Sequence, residues 1–98
     1  MLENTGIRET VLRQIAAFAK EYSVKQVILF GSRARGDHRE RSDIDLAVSG
    51  GNFPAFALDV DEETDTLLKY DFVNLDAAVQ PELLAEIQKD GRILYEKI

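Results

Sequence analysis

A chain of 98 residues with a formal net charge of −6 has the length of one domain with a single core, and residues 1–98 are read as one. Its 45% hydrophobic and 31% charged residues suit a globular chain. No apolar run approaches the ~18 residues of a membrane span, and Met1-Leu2-Glu3-Asn4 does not begin a signal peptide, so no membrane association is expected. The absence of cysteine excludes a disulfide framework and thiolate-held metal, and fits a cytoplasmic protein. The charge is uneven. Residues 33–41 set Arg33, Arg35, Arg39 and Arg41 against Asp37 and Glu40, a balance of +2, which leaves −8 for the rest of the chain. So acidic a chain is a poor candidate for sequence-independent nucleic-acid binding, which works by neutralising phosphate.

In chain order, Ile7, Val11, Ile15, Phe18 and Tyr22 fall on one helical face, with Asn4, Thr5 or Gly6 as the expected cap. A first strand follows from about Gln26 to Phe30. Gly31-Ser32 then turns the chain, with Ser32 the expected N-cap of a short helix beginning near Arg33. Asp43 to Val48 reads as a second strand, ended by Ser49-Gly50-Gly51. From Asn52 to Lys69 the pattern is helical but soft, and Thr64 and Thr66 favour a break there. Asp59, Asp61, Glu62, Glu63 and Asp65 crowd this helix; carboxylates without a partner usually form a solvated face. Tyr70 to Leu75 is a third strand. Pro81 opens a last helix running to about Asp90, Gly91 stops it, and Ile93-Leu94-Tyr95 is a short final strand.

The chemistry concentrates in FGSRARGDHRERSDID, Phe30 to Asp45. Side chains alternate along a strand, so Asp43 and Asp45 share one face while Ile44, Leu46 and Val48 share the other. Two carboxylates that close repel each other unless a cation lies between them, and their oxygens suit Mg²⁺ carrying a substrate phosphate. Gly31 lets a ligand approach the backbone, and free N–H groups at the start of a helix attract anions. Arg33, next to Ser32, is expected on phosphate; for Arg39 and Arg41, phosphate contact and mere solubilisation of the loop are equally open. The segment is not a P-loop, because GSRARGD lacks the lysine and hydroxyl of GxxxxGK[ST].

Gly31-Ser32, ten residues, then Asp43-x-Asp45 resembles the signature of the DNA polymerase β-like nucleotidyltransferase superfamily. The short chain with GSRARG and SDIDLAV is most similar to its minimal nucleotidyltransferases, the antitoxin partners of HEPN-domain toxins. The resemblance covers roughly residues 24–95. It implies an α/β core, a small mixed sheet with helices packed mainly on one side. It implies Asp71 as a third catalytic carboxylate, with Asp76 as fallback; many relatives carry a second aspartate where this chain has Asn74, which is given no role. Asp43, Asp45 and Asp71 would hold two Mg²⁺ ions, with Mn²⁺ a possible substitute, while Gly31, Ser32 and Arg33 bind the triphosphate of ATP. The implied reaction is AMP transfer to a side chain of a HEPN RNase toxin; the other reading is an antitoxin that only occludes the toxin.

Overall fold

A computed structural model of the chain describes residues 2–98. The element order is α1 (Glu9–Glu21), β1 (Gln26–Phe30), α2 (Ser32–Arg35), β2 (Ile44–Ser49), α3 (Phe53–Glu63), β3 (Tyr70–Asn74), α4 (Pro81–Asp90) and β4 (Arg92–Glu96). The strands form one mixed sheet in the order β3-β2-β1-β4. β1 runs antiparallel to both β2 and β4, whereas β2 and β3 are parallel, joined through α3. No helix among the described residues is long and apolar enough to cross a membrane.

Alternation along the strands gives the sheet two different faces. Val27 and Leu29 of β1, with Ile44, Leu46 and Val48 of β2, pack under Val11, Ile15 and Ala19 of α1 and Phe56 and Val60 of α3. Phe30 and Ala47 point the other way and meet Ile87 of α4, with Ile28, Val73, Leu75 and Leu83 around them. The two longest helices therefore lie on one face, as expected, and α4 covers part of the other. Asp45 alternates with Leu46, and Asp71 with Phe72, so both aspartates belong to the α4 face. They lie at its open end.

Several boundaries differ from expectation for identifiable reasons. α1 starts at Glu9 with Arg8 at the cap and no side-chain capping bond, because Thr5 instead spends its hydroxyl on the Ile7 N–H at 3.1 Å. The soft third helix ends at Glu63. Thr64 turns extended there, and its hydroxyl donates to the Val60 carbonyl at 2.7 Å. Asn52 supplies its N-cap, accepting from the Ala55 N–H at 3.3 Å, with Pro54 in the first turn. Gly91 closes α4 without a left-handed turn; a Cβ there would collide with the Ile87 carbonyl and with Ile28, so glycine is demanded by close approach.

The α3–β3 connection fixes the strand that carries Asp71. Phe56, fully buried, stands edge-on to Phe72 at 6.4 Å, and Phe53 does the same from one turn earlier. Phe56→Ala should therefore cost about 3–5 kcal/mol. Urea denaturation followed by circular dichroism measures it, and a loss below about 1 kcal/mol would mean the core closes over the gap.

Candidate active site

Three strand ends meet at one edge of the fold: the C-terminal end of β1 and the N-terminal ends of β2 and β3. The antiparallel register sets Phe30 opposite Asp45, and the parallel register sets Asp45 opposite Asp71. Gly31 follows Phe30 directly, at φ +75°, and a Cβ built on it would collide with the Asp45 carboxylate. The Gly31 turn and Asp45, fourteen positions apart in sequence, are thus one packed unit. Asp43 lies one residue before β2 rather than within it, and it is exposed. Its charge still reaches Asp45.

The electrostatics of Asp45 follow from this placement. Burial pushes its carboxyl up from 3.8 to about 6, and the negative charges of Asp71, Asp43 and Glu86 push the same way. The Arg35 guanidinium opposes them. Arg35 spans from α2 to α4, pairing with Asp37 at 3.1 Å, Glu86 at 3.4 Å and Asp90 at 3.8 Å. Its field reaches Asp45, a role hidden in the sequence because Glu86 and Asp90 lie some fifty residues away.

Two expectations for the loop are corrected. The cap of α2 is Gly31, not Ser32; Ser32 is the first helical residue, and no side-chain capping bond is made. Arg33 does not face a phosphate. It is buried, and its guanidinium donates to the carbonyls of Thr5 at 2.8 Å, Ser42 at 3.0 Å and Glu40 at 3.0 Å, with Arg39 at 3.5 Å. Its donors are spent on the main chain, so it shapes the loop from beneath. Asp76, the fallback acid, lies at the other end of the sheet and accepts the Gly50 N–H at 2.6 Å. Asn74 accepts from the Asp76 N–H at 3.0 Å, a local turn. In the acidic stretch, Asp59 accepts from the Tyr22 hydroxyl, Asp65 pairs with Gln14, and Asp61, Glu62 and Glu63 are exposed.

An all-carboxylate donor set fits a hard divalent cation, which would also offset the repulsion that Asp71 and Asp43 add to the burial of Asp45. The three side chains do not converge on one point as they stand: among the described residues, no three His, Cys, Asp or Glu are close enough to share an ion.

The family model described as Polymerase beta, Nucleotidyltransferase matches residues 13–98. The chain belongs to this family, and it is a nucleotidyltransferase. "Putative protein adenylyltransferase MJ0604" of Methanocaldococcus jannaschii is 39% identical over 82 residues, covering 74% of this chain and 79% of that protein. "Putative protein adenylyltransferase MJ1379" of the same organism is 32% identical over 90 residues, covering 86% of this chain and 90% of the other. Among solved structures, the fold matches "Crystal structure of the toxin-antitoxin with AMP-PNP" with a TM-score of 0.70 at 22% identity, over 88% of this chain and 73% of that one. It also matches "Crystal structure the toxin-antitoxin MntA-HpeT mutant-D39ED41E" with a TM-score of 0.68 at 18% identity, with the same coverage.

The protonation of Asp45 makes the metal-free nucleotidyltransferase pH-sensitive. Its folded pKa lies above its unfolded one, so its contribution to stability is complete below pH 3.8 and lost as pH rises through about 6. Asp45→Asn, neutral throughout, should match the wild type near pH 4 and exceed it at pH 7 by on the order of 1–3 kcal/mol. Denaturation curves of both proteins across that range measure the difference, and parallel curves would refute the shift. Arg33→Lys should lower stability by about 2–3 kcal/mol at any pH, because one ammonium cannot replace a fork serving several carbonyls. An unchanged melting temperature would mean the loop stands without it.

Proposed function

We propose that this nucleotidyltransferase transfers AMP from ATP to a side chain of a cognate HEPN-type RNase toxin, acting as its antitoxin in the cytoplasm. The observation that carries the reading is Asp45, held in register beside Asp71 and packed against the bare backbone of Gly31. That arrangement puts the turn at the start of α2 next to paired carboxylates. The names of the relatives support protein adenylylation, and the fold neighbours, described as toxin–antitoxin complexes and in one case as containing AMP-PNP, support the partner and the nucleotide.

In this reading Gly31 and Ser32 seat the triphosphate, and Arg35 turns from Glu86 and Asp90 toward its charge. Asp43, Asp45 and Asp71 would hold Mg²⁺, with Mn²⁺ able to replace it. Divalent cations held by these residues would supply charge to offset the phosphates and the charge that develops in an in-line displacement. The acceptor oxygen forms a bond to the α-phosphorus, the bond from that phosphorus to the bridging oxygen breaks, and pyrophosphate leaves. Asp71 takes the acceptor's proton. Orientation and charge neutralisation supply the rate.

A second reading is an antitoxin that silences the toxin by occlusion alone. It is favoured by the carboxylates not closing around a common point. Turnover separates the two. As an enzyme, a small amount of this protein with ATP and Mg²⁺ should silence a large excess of toxin, which stays inactive after separation and gains the mass of one or more AMP units. The double change Asp43→Asn with Asp45→Asn should bind the toxin yet fail to protect cells. Full protection by that variant at normal expression, with mole-for-mole inhibition independent of nucleotide, would establish occlusion.

A further inference from the structure

Arg33 and Arg35 leave the same short helix and their charges both reach Asp45, yet their donors are used differently. Every nitrogen of the Arg33 guanidinium donates to a main-chain carbonyl. Arg35 is held by carboxylates instead. Its Nε meets Asp37 at 3.1 Å, and its Nη1 is shared between Glu86 at 3.4 Å and Asp90 at 3.8 Å. Among the described residues, Nη2 has no hydrogen-bond or ion-pair partner. We propose that Glu86 and Asp90 form a return latch for Arg35: they reclaim its guanidinium from the pyrophosphate that the reaction releases, and so weaken the hold on that product. The inference rests on the adenylyltransferase reading above.

The latch is built onto the turn itself. The Arg35 N–H donates to the Gly31 carbonyl at 3.1 Å, which fixes the base of the side chain beside the turn. α4 is seated next to it, since Ile87 packs against Phe30, the residue before Gly31. Glu86 and Asp90 lie one helical turn apart, on one face of α4, and both meet the same nitrogen. The negative charge of Glu86 also reaches Asp45, so acid pair, guanidinium and proposed metal ligand share one field. Glu86 and Asp90 act through Arg35 and are positioning residues.

The strength of these pairs allows exchange. The Arg35 side chain is 36% exposed, and those of Glu86 and Asp90 are 42% and 23% exposed. Ion pairs in contact with water are weak, whereas a phosphate offers the guanidinium a bidentate, more highly charged partner. The triphosphate of ATP can therefore draw Arg35 from α4. Pyrophosphate carries the same terminal phosphates and would keep it there. Two carboxylates that compete for the guanidinium throughout lower the affinity for the product without touching it. Direct repulsion between those carboxylates and pyrophosphate would have the same sign, but it would not depend on Arg35.

That dependence is the test. The probe is inorganic pyrophosphate with Mg²⁺, titrated calorimetrically into the whole protein, with ATP and Mg²⁺ in parallel. E86Q/D90N should bind pyrophosphate roughly three- to tenfold more tightly than wild type. R35A should bind it more weakly, and R35A/E86Q/D90N should lose most of the gain, because no guanidinium remains to be reclaimed. Glu86→Gln alone keeps Asp37 and Asp90 on Arg35; it should show part of the gain and stands in for the double variant if that fails to fold. Unchanged or weaker pyrophosphate binding in these variants means that the pairs merely fasten α2 to α4, and overturns the latch. A tightening of the same size in the R35A background is direct repulsion and overturns it too. Failure of the wild type to bind either ATP or pyrophosphate with Mg²⁺ overturns the adenylyltransferase reading and the latch with it.

Discussion

Asp45 rests its carboxylate where any residue other than glycine at position 31 would place a Cβ, and the active end of the molecule is arranged around that contact. The β1–β2 register brings Phe30 opposite Asp45, so the turn leaving β1 lies over the carboxylate. The β2–β3 register then brings Asp71 alongside. A glycine turn without the acid would be an ordinary strand end, and the acid without the turn would be a half-buried charge. Packed together they hold the turn and the carboxylate side by side, as the proposed triphosphate chemistry requires.

Arg33 does for the loop what Gly31 does for the turn. The segment from Gly36 to Asp43 has no helix or strand to satisfy its carbonyls, and a buried guanidinium collects those of Arg39, Glu40 and Ser42 while reaching back to Thr5. Burial lowers its pKa from the ordinary arginine value, and the nearby Asp45 charge opposes that shift. The charge used to order the loop therefore also lies beneath the acid. Arg35, two residues on, remains at the surface among Asp37, Glu86 and Asp90 and is the exposed member of the pair. The cation available to a ligand is the one held by other side chains.

Much of this was legible in the sequence. The apolar run Val27–Phe30 and the alternation in Asp43–Val48 gave both central strands, and Gly31-Ser32 with Asp43-x-Asp45 marked the site. Asp71 was reached through the family resemblance, and the parallel register places it beside Asp45. What stayed hidden depends on contacts distant in sequence. Arg33 and Arg35 are chemically alike and two positions apart, and only the Thr5 carbonyl and the α4 carboxylates sort one inward and the other outward. The cap at Ser32 was misplaced because Gly31, at positive φ, already occupies the position that capping requires.

The site's charge conflict explains how the register is held. Asp45 costs stability whenever it is ionised, so nothing about the carboxylate itself favours its position in the metal-free protein. Its neighbours on the other face decide. Ile44, Leu46 and Val48 are fully buried under α1 and α3, and Phe72 is clasped by Phe53 and Phe56. Slipping β2 by one residue would turn Asp45 into that core and expose three aliphatic side chains, at several kcal/mol by apolar area alone. The apolar face thus enforces a placement that the polar face opposes, and the opposition is what leaves the carboxylates in need of a cation.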